Sequence, residues 1–199
     1  MKKQKSKIKP IDGTDVRTII LDLEANGLYN DVTHIHCIAY YSSESNQIES
    51  YNDECNWKDP DPRLKGMSSP VIRAIQHIEQ AAFIVGHNII GYDIPVIRKL
   101  YPFFKPNGVI IDTLLLSRLY HPRLMSLDKE RNWPHMPLQL YGRHSLEAYG
   151  YRLGEYKGEH GKTTDWKEWS QELEDYSIQD VAVTKKLCDH FHPYLSGLR

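Results

Sequence analysis

The chain has 199 residues, 40% hydrophobic and 26% charged, with a formal net charge of −1. That is enough for one domain with its own core and too little for a second large catalytic domain. No uninterrupted apolar run approaches the roughly 20 residues that cross a bilayer. No tripartite leader opens the chain, and its three cysteines (Cys37, Cys55 and Cys188) form no CxxC pair, so secretion, a disulfide framework and a zinc ribbon are not expected. A cytoplasmic, reducing setting without a membrane is the expectation.

The first ten residues carry Lys2, Lys3, Lys5, Lys7 and Lys9 and no acid, so residues 1–15 are expected to be a flexible, solvated tail. Arg17 to Leu23 is β-branched and apolar on both faces, as in a central strand. Asn26 to Asp31 is a turn, Thr33 to Tyr41 a second strand, Ser42 to Asn46 a turn and Gln47 to Tyr51 a third strand. Such short connections predict an antiparallel meander. Residues 52–69 contain Pro60, Pro62 and Gly66 and are expected to loop. Ser68 or Ser69 then caps a helix starting at Pro70, with Val71, Ile75 and Ile78 on one face.

Phe83 to Val85 is a short buried strand, Gly91 to Leu100 a helix, Gly108 to Ile111 another strand and Asp112 to Tyr120 a helix. Residues 121–143, with three prolines and no clear period, are expected to be an irregular insertion. His144 to Tyr149 is a short helix, Gly150 to Thr164 is polar, and Asp165 to His190 is largely helical. A meander followed by β-α units predicts an α/β domain with a mixed sheet and helices on both faces.

Within this frame a few acids stand out. Asp22 and Glu24 end the first strand, and period-two alternation puts them on one face. Two such charges 4 Å apart repel by about 1 kcal/mol in water and roughly 4 at an effective dielectric near 20, so a cation or a shared proton is the natural offset. Asp93 opens a helix after the turn containing Asn88. Tyr176 and Asp180 stand at i and i+4 on the last helix and share a face. Taken singly, these acids also read as a solvent-facing strand end, an ordinary first-turn acid and a solvated helix face. His34 and His36 alternate onto one face of the second strand, where no second ligand pair suggests a metal, so they read as strand histidines.

Together, DLEANGL (Asp22 to Leu28), HNIIGYDIP (His87 to Pro95), IDTLLLSRLYH (Ile111 to His121), HSLEAYGYRLGEYKGEH (His144 to His160) and DYSIQDVAVTK (Asp175 to Lys185) resemble the DEDD superfamily of 3′–5′ exonucleases in its tyrosine-containing branch. Within it, they are similar to the proofreading domain of T-odd phage family-A DNA polymerases. The resemblance runs from about residue 17 to 190. It implies an RNase H-like three-layer fold with a mixed five-stranded sheet, and a single exonuclease domain over residues 16–195.

By the same resemblance, Asp22, Glu24, Asp93 and Asp180 would hold two divalent cations, Mg²⁺ or Mn²⁺, since all-oxygen ligands suit hard ions. Tyr176 would orient the attacking water; a phenol with an ordinary pKa near 10 is a poor base at neutral pH. The histidine branch places its His five residues before the last acid, where this chain has Asp175.

Ala25, Asn26 and Leu28 would shape the pocket for the terminal nucleotide, with Leu28 as an apolar wedge, and Asn88 would contact the terminal nucleotides. Tyr92 reads as a core aromatic. Arg152, Lys157 and His160 could reach the DNA backbone or could be solvated. The implied substrate is a single-stranded or frayed DNA 3′ end, with RNA in the manner of RNase D, or a non-catalytic DNA-binding module, as alternatives. The chain ends 19 residues after Asp180. The expectation is therefore a free-standing exonuclease or a proofreading subunit beside a separately encoded DNA polymerase. The proline-bearing insertion and the lysine tail are candidate docking elements.

Overall fold

The computed structural model describes residues 17–53, 69–155 and 167–197. The expectations for the tail, for most of the 52–69 loop and for Lys157 and His160 lie outside the described residues.

Among the described residues five strands form one sheet: β1 (Thr18–Ala25), β2 (Ile35–Ser42), β3 (Gln47–Asn52), β4 (Phe83–Gly86) and β5 (Val109–Asp112), in the order β3-β2-β1-β4-β5. β1, β2 and β3 pair antiparallel, while β4 and β5 continue from β1 in parallel. The meander and the mixed sheet are therefore as the sequence predicts.

Among the described residues six α-helices accompany the sheet: α1 (Pro70–Glu79), α2 (Asp93–Leu100), α3 (Thr113–Tyr120), α4 (Leu124–Arg131), α5 (Leu146–Leu153) and α6 (Gln171–Leu195). α1 begins where serine and proline direct it: the Ser69 hydroxyl accepts from Ile72 N–H at 3.1 Å, and Pro70 occupies the first turn.

Alternation along β1 divides the core. Ile19, Leu21 and Leu23 pack with Ala74, Ile75 and Ile78 of α1 and with Ile94 and Ile97 of α2. Ile20 faces the other way, with Ala39, Tyr41, Val85 and Val181 of α6. Helices thus cover both faces, giving three layers. A smaller cluster joins Leu124, Leu146, Tyr149, Val183, Leu187 and Phe191.

The insertion at 121–143 departs from the expectation of irregular chain, because it contains α4 and a short 3₁₀ helix at Leu138–Leu140. α4 carries no long apolar stripe; what fixes it is buried Asp128. Its carboxylate accepts from Trp133 Nε1 at 3.0 Å, Gly142 N–H at 2.8 Å, and Arg152 Nε and Nη2 at 2.9 and 2.7 Å. Arg152, read as a candidate for the DNA backbone, is instead a buried partner of Asp128, its side chain only 6% exposed. The helix expected at His144 to Tyr149 starts later and runs to Leu153, with Ser145 as its cap. α6 begins at Gln171 behind the Ser170 cap and extends to Leu195.

Candidate active site

The parallel strands β1, β4 and β5 point their carboxyl ends the same way, and in open α/β sheets ligands bind outside those ends. There β1 outruns its neighbour. Its pairing with β4 is registered through Ile20 and Val85, and β4 stops at Gly86. The Leu23 N–H beyond that pairing meets the Asp93 carboxylate. The first residue of α2 therefore reaches the strand between Asp22 and Glu24.

Asp22 and Glu24 lie on the α6 side of the sheet, across from Ala39 and Cys37 of β2. Ser177 of α6 donates to Asp22 Oδ2 at 2.9 Å, with Asp22 O 3.4 Å away. Asp180 follows Ser177 by three residues and is buried, so it lies on nearly the same helix face. Tyr176 is half-buried in the turn before Asp180.

Three elements thus bring the four predicted acids to one end of the sheet, and their fields overlap. Burial, opposed by N–H groups of Asp93 and Leu23 and reinforced by the charges of Asp112 and Asp180, lifts the Asp93 carboxyl to about 7. Burial first, then the charges of Asp93, Glu24 and Asp22, raises the Tyr92 phenol. The Cys37 thiol is likewise raised by burial and then by Glu24, Glu174 and Asp22. Among the described residues no three His, Cys, Asp or Glu side chains are gathered into a ready metal-binding group. The donors themselves are all carboxylate oxygens, which fits a hard divalent cation and not a thiophilic one.

Around the acids, Leu28 is 76% exposed and free of the core, as a surface wedge requires. Ala25 is buried beside an irregularity in the β1–β2 pairing. Asn26 is committed to the turn: its amide oxygen accepts from Thr33 and His34 N–H at 3.0 and 3.1 Å, and its amide nitrogen donates to Thr33 Oγ1 at 2.8 Å. Tyr92 is half-buried against the main core, and its hydroxyl donates to Gly27 O at 2.6 Å, tying α2 to the segment after β1. Asn88 is exposed, with φ of +64°, and a Cβ on Gly91 would meet its Oδ1 at 2.6 Å. His34 and His36 stack edge to face, 5.3 Å between ring centroids.

Sequence reasoning missed two residues that touch this site. Ser177, which holds Asp22, left no signal beyond its place in the YxxxD motif. Asp112 looked like the first residue of a helix. It is the cap of α3, an acid directly before an apolar helical run, which is a readable signal; its contacts to the Asn88 turn are not local and could not be read.

The chain belongs to the RNase H superfamily, as an RNase H-like nuclease domain: the RNase_H_2 family model matches residues 19–192. It is 34% identical over 193 residues to the DNA-directed DNA polymerase of Escherichia phage T7. To the same enzyme of Enterobacteria phage T3 it is 33% identical. Each match covers 86% of this chain but only 26% of the polymerase.

Among solved structures, the family B DNA polymerase of Pyrobaculum calidifontis superposes with a TM-score of 0.57 at 15% identity, over 93% of this chain and 26% of that one. Brucella melitensis NrnC with bound Mg²⁺ gives 0.52 at 16%, over 94% of this chain and 87% of that one. These two likenesses concern the fold. No described helix is long and apolar enough to cross a membrane.

Proposed function

We propose that this chain is a metal-dependent 3′–5′ DNA exonuclease that hydrolyses the terminal phosphodiester bond and releases nucleoside 5′-monophosphates. The observation that carries the reading is the meeting of three elements at the carboxyl end of β1: Asp22 and Glu24 on the strand, Asp93 of α2 against Leu23 N–H, and α6, whose Ser177 donates to Asp22 one turn before buried Asp180. A fold that buries acids from separate elements at one strand end suits a cation more than it suits itself. The similarity to phage DNA polymerases supports DNA as the substrate.

Asp22, Glu24, Asp93 and Asp180 would hold two divalent cations, Mg²⁺ or Mn²⁺. When bound, these supply Lewis-acid stabilisation of the phosphoryl oxygens and activation of water at neutral pH. Ser177 fixes the rotamer of Asp22. Tyr176 orients the attacking water by hydrogen bonding. Leu28 packs against the terminal base, and Asn88 offers its amide to the terminal nucleotide. A strand end fits this arrangement better than a stacked duplex does, so single-stranded or frayed 3′ ends are the preferred substrate. A DNA polymerase acting alongside is the partner this reading implies.

The test uses 5′-labelled DNA and RNA oligomers of matched sequence, with Mg²⁺ or with EDTA. Stepwise shortening of the DNA from its 3′ end, abolished by EDTA and by Asp22→Ala with Glu24→Ala, is expected. Unchanged hydrolysis by the double variant would refute the assignment. Faster release from RNA would move it to a ribonuclease, and DNA binding without hydrolysis by the parent chain to a binding module.

A further inference from the structure

We propose that Asp112 is a positioning residue for the candidate active site, setting the 88–91 turn and, through it, Asn88 and Asp93. This rests on the function proposed above.

Asp112 ends β5 and caps α3, where Oδ1 accepts from Leu114 N–H at 2.9 Å. Capping needs only one short side-chain oxygen, which serine would supply. Asp112 does more. Oδ1 also accepts from Asn88 N–H at 3.0 Å, and Oδ2 accepts from Ile90 N–H at 3.2 Å. Both donors lie more than 20 residues earlier in the chain. A buried carboxylate is therefore shared between a helix end and a turn from the neighbouring β-α unit.

That turn needs an external anchor. Asn88 sits at φ +64°, a conformation asparagine tolerates but does not favour. Within the turn, its carbonyl accepts from Gly91 and Tyr92 N–H at 2.9 and 3.0 Å. The N–H groups of Asn88 and Ile90 point away, to Asp112. Thr113 adds to the hold: its hydroxyl donates to Gly86 O at 3.1 Å and lies 2.9 Å from His87 Nδ1.

The turn passes its position on. Ile94 N–H donates to Ile89 O at 3.0 Å, so α2 is wound directly onto the anchored segment, and Asp93 is its first residue. A displacement at Ile90 is carried to Asp93 three residues later through Gly91 and Tyr92, whose N–H groups are both held by Asn88 O.

Asp112→Ser keeps one oxygen able to cap α3, withdraws it by one bond from Asn88 and removes Oδ2, the acceptor for Ile90. Asp112→Asn keeps the Oδ1 contacts and loses the acceptor for Ile90. Ser69→Ala removes the cap of α1, whose hydroxyl accepts from Ile72 N–H of its own helix, and is the control for lost stability alone. The readouts are kcat and KM on a labelled DNA oligomer with Mg²⁺, and hydrogen exchange of the Asn88 and Ile90 amides. A displaced reacting group costs up to about a hundredfold in rate, so kcat is expected to fall about thirtyfold in Asp112→Ser and less in Asp112→Asn. Ser69→Ala should leave it within about twofold.

Both amides should exchange at least about tenfold faster in Asp112→Ser, with core amides unchanged. Activity of Asp112→Ser within about threefold of the parent, or an equal loss in Ser69→Ala, would overturn the proposal. If the parent leaves DNA intact, the exonuclease reading fails, and the exchange measurement still decides whether Asp112 holds the turn.

Discussion

The Asp93 carboxyl makes a prediction about stability that is independent of any assay of catalysis. In the unfolded chain this group titrates near its ordinary value of 3.8, whereas in the fold burial and the neighbouring Asp112 and Asp180 hold it up to about 7. Between those values the folded state binds more protons, so stability falls as pH rises from about 4 to 7 and stays low above. Holding the carboxyl at about 7 in place of 3.8 corresponds to roughly 4 kcal/mol, and in a domain of this size to on the order of 10 °C in melting temperature.

Asp93→Asn removes the charge, keeps the shape and still offers an acceptor to Leu23 N–H. Without divalent cations it should therefore melt higher than the parent at pH 8, and about equally at pH 4. Added Mg²⁺ should stabilise the parent more at pH 8 than at pH 5, and stabilise Asp93→Asn little. Scanning fluorimetry across pH, with EDTA or Mg²⁺, reads all of this. A parent more stable at pH 7 than Asp93→Asn, both in EDTA, would refute the reasoning.

Three further outcomes follow from the contacts. Asp128→Ala leaves Arg152 buried without its carboxylate and should cost about 3–5 kcal/mol in denaturant unfolding. Burial raises the Asp128 pKa, but Arg152, Gly142 and Trp133 outweigh it and hold the group below its ordinary value. Its contribution is therefore complete above the unfolded value and lost as pH drops through the lower folded one. Ser177→Ala should unfold about 1 kcal/mol more easily and lower kcat more than it raises KM, since it frees Asp22. Gly91→Ala places a methyl against Asn88 Oδ1 and should raise KM for DNA with little change in melting temperature; an unchanged KM would remove Asn88 from the binding site.

The parts legible in the sequence were those governed by local patterns. β1 could be read because its apolar residues serve two faces, α1 because Ser69 and Pro70 mark its start, and the acid pair because alternation dictates its face. α4 could not be read because its stability comes from one buried carboxylate with distant partners, Gly142 and Arg152, and not from a stripe of apolar residues. For the same reason Arg152 looked like a free cation. The α2 start was placed two residues early because the Asn88 turn, held from β5, keeps Gly91 and Tyr92 out of the helix. Asp22, Glu24, Asp93 and Asp180 were marked by type and order, whereas their supports, Ser177 and Asp112, act across the fold.

The closing helix, α6, is fastened at both ends. Near its start, Glu174 receives Ser50 and, at 2.7 Å, Asn52 Nδ2 of the edge strand. Near its finish, His190 Nε2 meets His121 Nε2 at 2.8 Å, and Tyr194 packs on Tyr120 with ring centroids 4.5 Å apart. A beam clamped at two points cannot swing without breaking a clamp. The side chains it carries between them are therefore set with the rigidity of the whole scaffold, a tolerance no surface loop could match.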